Sequence, residues 1–518
     1  MTSVGFEQSM NQLASIDYII ICVYMVGVLF VGSYFAKYVS SAGDLFLAGR
    51  SLPFWAIGMS IVVSDIGAVD LIAGAGGAYQ RGIAQANFDW IGSVPALLIA
   101  AFIFVPYYWR AGVYTLPEFL GRRYNGGTRW VLASVLLVFM LLTLSILLWT
   151  SSVFLNEVLG WDHAVGIWVT AVIVGIYTVS GGLAAVVMTD VMQLIVMFVG
   201  TSALMALGVW EIGGWSGMQE AILAQPETDE TYFQLLQAHE PGTEYPWPGM
   251  VFSLGIVMST GYYVGNQAVM QRALGARTEW DAKAGMLTAG IFKLMIPFLV
   301  LIPGMAARAI VPDLHPADAA IPTLINILLP AGLKGLMFAA FFAALMSSVD
   351  SYLNSCVTIF TGDVYRPIHW FFTRQPISDF SGLMLGRALT AGILVFAAIY
   401  APSFSDSQTL YDNIQTLLSL FQGPTLAILL VGIFWRRATG WGGFAGLIVG
   451  VCLTFSLNLM GDAVFLSDAA YLYVSFWSFI ISMAVTIVVS LLTPKEPLEK
   501  TKGLVYGSVV TEDDENKS

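Results

Sequence analysis

From residue 16 to residue 493 the chain alternates apolar stretches, each about as long as a bilayer is thick, with short polar connections. The stretches run 16–37, 52–79, 83–109, 130–157, 163–180, 183–210, 249–271, 284–311, 333–361, 382–402, 408–435, 441–462 and 468–493. Roughly 20 apolar residues cross hydrocarbon as a helix, whereas a barrel is built from shorter alternating strands. Only 11% of the residues are charged, against about 25% in soluble domains. The sequence therefore predicts an all-α integral membrane protein of about 13 transmembrane helices. Its three cysteines, Cys22, Cys356 and Cys452, are scattered, and its four histidines fall in or near loops, so neither a disulfide framework nor a metal cluster is read.

Basic residues orient the spans. One set of connections holds Lys37 and Arg50; Arg110, Arg122, Arg123 and Arg129; Arg272, Arg277 and Lys283; Arg366 and Arg374; Arg436 and Arg437; and Lys495, Lys500 and Lys502. The other set holds Arg81, Arg308 and Lys334. The positive-inside rule then places the N-terminus outside and the C-terminus in the cytoplasm of a multi-pass protein of the cell (inner) membrane. Nearly all of these loop charges read as solvated. The loop from Glu211 to Glu244 carries acids and no Lys or Arg, which suits an external position.

Several spans carry groups that hydrocarbon penalises. The second contains S-D-I-G and further glycines, with Asp65 and Asp70 near its middle. The seventh contains S-T-G-Y-Y-V-G, residues 259–265. Glycine weakens a helix and a carboxylate in a bilayer is costly, so both spans are read as interrupted, at S-D-I-G and at S-T-G-Y-Y-V-G. Five spans separate them, so the two five-helix units enter from opposite faces, the pattern of inverted repeats with a binding site at the breaks. Unwound backbone frees carbonyls, here those of Val63 and Ile66, which suit a small hard cation. In the ninth span Ser347, Asp350, Ser351 and Asn354 recur at i, i+3, i+4 and i+7 and share one face. Lys293 lies inside its span, where a lysine costs roughly 2.5–3.5 kcal/mol and so requires a carboxylate, a cavity or a solute oxygen. Asp89 opens the third span, Asp190 lies near the start of the sixth, and Gln415 lies in the eleventh.

Five motifs in order carry a resemblance: D-L-F-L-A-G-R-S-L-P-F-W-A-I-G-M-S (44–60), G-V-Y-T-L-P-E-F-L-G-R-R-Y (112–124), S-G-G-L-A-A-V-V-M-T-D-V-M-Q (180–193), N-Q-A-V-M-Q-R-A-L-G-A (266–276) and S-S-V-D-S-Y-L-N-S-C-V-T-I-F-T-G-D-V-Y (347–365). The chain resembles the sodium/solute symporter family, and its sodium/sugar branch most closely. The resemblance implies one transporter domain: an external N-terminus (1–15), a first peripheral helix (16–37), inverted repeats at 52–210 and 249–435 around an external loop (211–248), peripheral helices (441–493) and a cytoplasmic tail (494–518). It implies symport of a small polar solute with Na⁺ by alternating access, with no organic cofactor, no nucleic acid and no obligatory protein partner besides the lipid bilayer. Carried over by residue, sodium would meet carbonyls of Val63, Ile66 and Ala344 and hydroxyls of Ser347 and Ser348. A second sodium would use Asp190, Ser347, Asp350 and Ser351. The solute would be ringed by Asp65, Asp70, Asp89, Thr260, Tyr263, Lys293 and Gln415, with gates at Phe88 and Tyr411 outside and Tyr263 inside.

The chain departs from the sugar pattern where Asp65, Asp70 and Thr260 replace amides and Asp89 replaces a glutamate. Three carboxylates then face Lys293. A sugar is the first expectation, and sodium- or proton-coupled uptake of an amine-bearing solute or amino acid is the alternative. A non-transporting solute sensor is the rival from another class. No nucleophile or phosphate-binding motif suggests an enzyme.

Overall fold

The computed structural model describes residues 13–506 apart from 38, 40, 227, 240–242, 244, 406–409 and 466–469. Most of residues 1–15, and the end of the tail from 507, therefore lie outside the described residues. The described chain is almost entirely helical, with two isolated bridges and no sheet. Its main helices are α1 Ser15–Ala36, α2 Phe54–Asp65, α3 Asp70–Ala86, α4 Phe88–Ala111, α5 Gly126–Leu159, α6 His163–Glu211 and α7 Gly249–Gly265. They continue with α8 Gln267–Leu274, α9 Glu279–Ile310, α10 Leu333–Ile359, α11 Asp379–Tyr400, α12 Leu410–Phe434, α13 Gly440–Phe465 and α14 Ala470–Leu492.

Ten helices among the described residues are long and apolar enough to cross a membrane, and α2 with α3 forms one bent pair. The expected spans at 163–180 and 249–271 correspond to shorter apolar helical stretches, His163–Ile176 and Gly249–Gly265. α6 is one helical run over two expected spans, and Gly182 divides it at φ 58°. That left-handed value suits glycine, and a Cβ there would stand 3.0 Å from the Leu45 backbone. α10 is the central helix. It is buried almost throughout and packs on α1, α2, α5 and α6. α1, α13 and α14 leave many large apolar side chains exposed, as a lipid-facing helix does.

The second interruption differs from the sequence expectation. Residues 259–265 are helical, and the break falls at Asn266, whose extended backbone separates α7 from α8. Asn266 caps α8 by accepting the Ala268 N–H at 2.9 Å. The glycines of S-T-G-Y-Y-V-G serve packing: a Cβ on Gly261 would lie 2.5 Å from the Gln422 carbonyl oxygen of α12. Two basic residues read as solvated are also buried. Arg123 donates to the carbonyls of Gly432 (2.6 Å), Ala438 (3.0 Å) and Trp435 (3.1 Å), and so ties the connection between α12 and α13 to the α5 side. The second is Arg272, described below. Gly261→Ala is expected to cost about 1–3 kcal/mol by overpacking. Thermal unfolding of the detergent-solubilised protein would show this as a lower midpoint; an unchanged midpoint would mean α7 and α12 can separate freely.

Candidate functional site

α2 stops at Asp65. Ile66 has φ −91° and ψ 77°, and the chain turns by 64° before α3. The carbonyls freed there meet α10. Ser347 Oγ donates to the Val63 carbonyl at 2.7 Å and the Ala344 carbonyl at 3.0 Å. Ser348 Oγ donates to the Ser64 carbonyl at 2.9 Å and the Ala344 carbonyl at 3.1 Å. Gly67 makes this approach possible, since a Cβ there would lie 2.6 Å from Ser348 Oγ. The resulting donor set is all oxygen, from carbonyls and hydroxyls, as Na⁺ requires.

The same break opens a cavity of about 130 Å³ between α2, α3, α4, α5, α7, α9, α10 and α12. Lys293 projects into it from α9. Pro297 has no N–H for the carbonyl of residue 293, and the helix loosens there. Lys293 Nζ lies 2.5 Å from Asp65 and 2.9 Å from Asp89. Tyr263 OH donates to Asp65 at 2.7 Å. Asp70 accepts the Gly67 N–H at 3.2 Å. Ile66 and Ser348 line the cavity and are also among the residues expected from the sequence to meet an ion.

A profile of the sodium:solute symporter family matches residues 45–450. The chain belongs to that family. The symporter is 31% identical to sodium/glucose cotransporter 1 of Oryctolagus cuniculus over 93% of its length and 79% of the relative's. It is 32% identical to the sodium/myo-inositol cotransporter of Homo sapiens over 96% and 76%. Its fold is similar to that of a Na⁺-coupled sialic acid symporter solved in a substrate-bound outward-open state, with a TM-score of 0.80 and 20% identity over 93% of this chain and 99% of that one. A nucleobase-cation-symport-1 family transporter, Mhp1, in a closed conformation is also similar, at a TM-score of 0.52 and 12% identity over 89% and 97%. The fold is thus that of the sodium symporters with paired inverted repeats and broken helices.

Most of the expected site residues come together. Asp65, Asp70, Asp89, Tyr263, Lys293 and Gln415 line the symporter's cavity, and Phe88 stands in its wall. Thr260 does not line it. Helical rotation turns Ser259, Tyr262 and Tyr263 to the cavity, whereas Thr260 is buried with its hydroxyl unpartnered among the described residues. The side chain of Tyr411 lies outside the described residues. Thr143, Gln422 and Gln85 line the cavity too and were not singled out from the sequence. Tyr245 was missed as well: it lies in the connection before α7, donates to Gln85 at 2.9 Å and packs edge-on to Phe88 at 5.5 Å.

The groups proposed for a second sodium surround a guanidinium. Arg272 of α8 is 1% exposed and lies 3.1 Å from Asp190. It donates to Ser60 at 2.5 Å, to Ser64 at 2.6 Å and to Ser351. Ser60 in turn donates to Asp190 at 2.5 Å. Asp350 is buried beside this network and accepts from Ser351 at 3.3 Å. α8 thus brings its own cation to the second set, where Arg272 had read as a loop charge.

Removing one member of a buried ion cluster strands the others, at about 3–5 kcal/mol. Lys293→Met is therefore expected to lower the symporter's unfolding midpoint, and adding Asp65→Asn with Asp89→Asn to recover most of the loss. Equal destabilisation by the single and triple variants would mean the three groups are not coupled.

Proposed function

We propose that the symporter takes up a small hydroxyl-rich solute into the cell, with one sodium ion per cycle. Support for the solute class comes from two sources. Its relatives are named as glucose and myo-inositol cotransporters. The cavity offers carboxylates that can each accept two hydroxyl donors, with the Lys293 ammonium as a donor. The single observation that carries the reading is the meeting of Ser347 and Ser348 with the carbonyls of the broken helix, in the wall of the cavity that holds Lys293.

In this reading Val63, Ile66 and Ala344 provide carbonyls, and Ser347 and Ser348 provide hydroxyls, to the ion. Ser64 adds a carbonyl that the sequence did not single out. Bound sodium pins the break of α2 against α10 and sets Asp65 and Asp70 for solute. Asp65, Asp70, Asp89, Lys293, Tyr263 and Gln415 then hold the solute, while Phe88, assisted by Tyr411, closes outside and Tyr263 closes inside. One sodium moving down a 100 mV potential releases about 2.3 kcal/mol, close to a fifty-fold accumulation of solute. The N-terminus lies outside and the C-terminus in the cytoplasm, following the basic residues of the connections. No organic cofactor and no partner chain enter the cycle.

A count of one sodium follows from the Arg272 cation beside Asp190. In proteoliposomes, uptake is expected to rise with sodium at a Hill coefficient near one and to vanish when choline replaces sodium. Ser347→Ala is expected to lose sodium dependence while still reaching the membrane. A Hill coefficient near two, or sodium dependence retained in Ser347→Ala, would contradict the assignment.

A further inference from the structure

We propose that the solute carries an ammonium group and that Asp70 receives it, so that the preferred cargo is an amino-bearing polyol. The inference rests on the cavity being the solute site and adds the charge of the solute. Asp65 and Asp89 share Lys293, and Asp65 also accepts from Tyr263. Among the described residues Asp70 has only the Gly67 N–H, on one oxygen; its other oxygen is left to the cavity. Among the described residues that line the cavity, Lys293 is the sole cationic side chain.

Charge decides the class of solute. With all three carboxylates ionised, one ammonium leaves two negative charges facing the cavity. One sodium ion leaves a single negative charge. A second sodium does not balance it, because the acid that would hold that ion already faces the Arg272 guanidinium. A neutral polyol can donate hydrogen bonds to Asp70 but leaves the charge standing, whereas a solute ammonium cancels it.

A second observation points the same way. Gln422 Oε1 and the Thr143 hydroxyl are buried in the cavity wall without a hydrogen-bond partner among the described residues. Neither polar atom is open to the cavity as the side chains stand, so each would meet a solute only by turning inward from the wall. Turned inward, Gln422 Oε1 would add an acceptor beside Asp70, and the Thr143 hydroxyl would both donate and accept. An ammonium brings three donors where a hydroxyl brings one.

The test uses the full-length symporter in proteoliposomes, with sodium-driven uptake of 2-amino-2-deoxy-D-glucose, its N-acetyl derivative and D-glucose. The amine is expected to half-saturate uptake at a concentration at least tenfold below that of D-glucose. N-acetylation keeps the ring hydroxyls and removes the charge, and is expected to abolish the advantage. Transport current should carry two charges per amine and one per D-glucose. Asp70→Asn should bring the amine and D-glucose within about twofold of each other. Equal or better uptake of D-glucose by the unaltered protein would overturn the inference, and that comparison decides it even if the variant fails to fold. So would an unchanged preference in Asp70→Asn, or a proton carried inward with each D-glucose. Sodium-driven uptake of D-glucose without amine preference removes this inference alone; no sodium-driven uptake of any of the three removes the proposed function with it.

Discussion

A peptide backbone that leaves its helix inside a bilayer has to find partners in the protein, because the hydrocarbon has none to offer. The turn at Ile66 and Gly67 is that constraint here. It ends α2 in the middle of the membrane protein, and α10 answers it with two adjacent serines whose hydroxyls reach three carbonyls: one at Val63, one at Ser64 and one of its own at Ala344. The approach needs a glycine at 67, and it needs a central helix buried on all sides. The same turn swings Asp65 and Asp70 into one cavity. In the proposed function, ion and solute positions are therefore consequences of a single interruption, with Ile66 and Ser348 in both.

The second broken helix completes the electrostatics. Tyr263, near the end of α7, donates to Asp65 of the first broken helix, and Arg272 of α8 donates to Ser60 and Ser64 of the same element. One break thus sets a hydroxyl against Asp65 in the cavity, and its continuation sets a guanidinium against Asp190. The two polar centres differ in kind. Around Arg272, the guanidinium faces Asp190 and is hydrogen-bonded on several sides. Around Lys293, acid exceeds base, and the excess faces open space.

Much of this was legible as conflict between residue and environment. Asp65, Asp70, Lys293 and the serine face of α10 each stood out because hydrocarbon penalises them, and motif order over residues 44–365 pointed to the family that the profile then matched. What stayed hidden depended on rotation and long-range packing. Thr260 and Ser259 differ by one residue, about 100° around a helix, and the sequence carries no mark of which one meets the cavity. Gly261 looked like a break and is a contact point, because glycine weakens a helix and lets two helices approach by the same lack of a side chain. Arg272 sits among basic residues that suit a cytoplasmic connection, and its burial depends on an acid 82 residues away. Tyr245 is a loop residue, and no local pattern ties it to Gln85.

The account stands on the place of the ion. Thallium substitutes for sodium and scatters anomalously, so diffraction from crystals grown with Tl⁺ in place of Na⁺ locates the ion without reference to transport. The predicted result is one anomalous peak between the Val63 carbonyl and the Ser347 and Ser348 hydroxyls. An empty map there, or a principal peak beside Asp190, would contradict it.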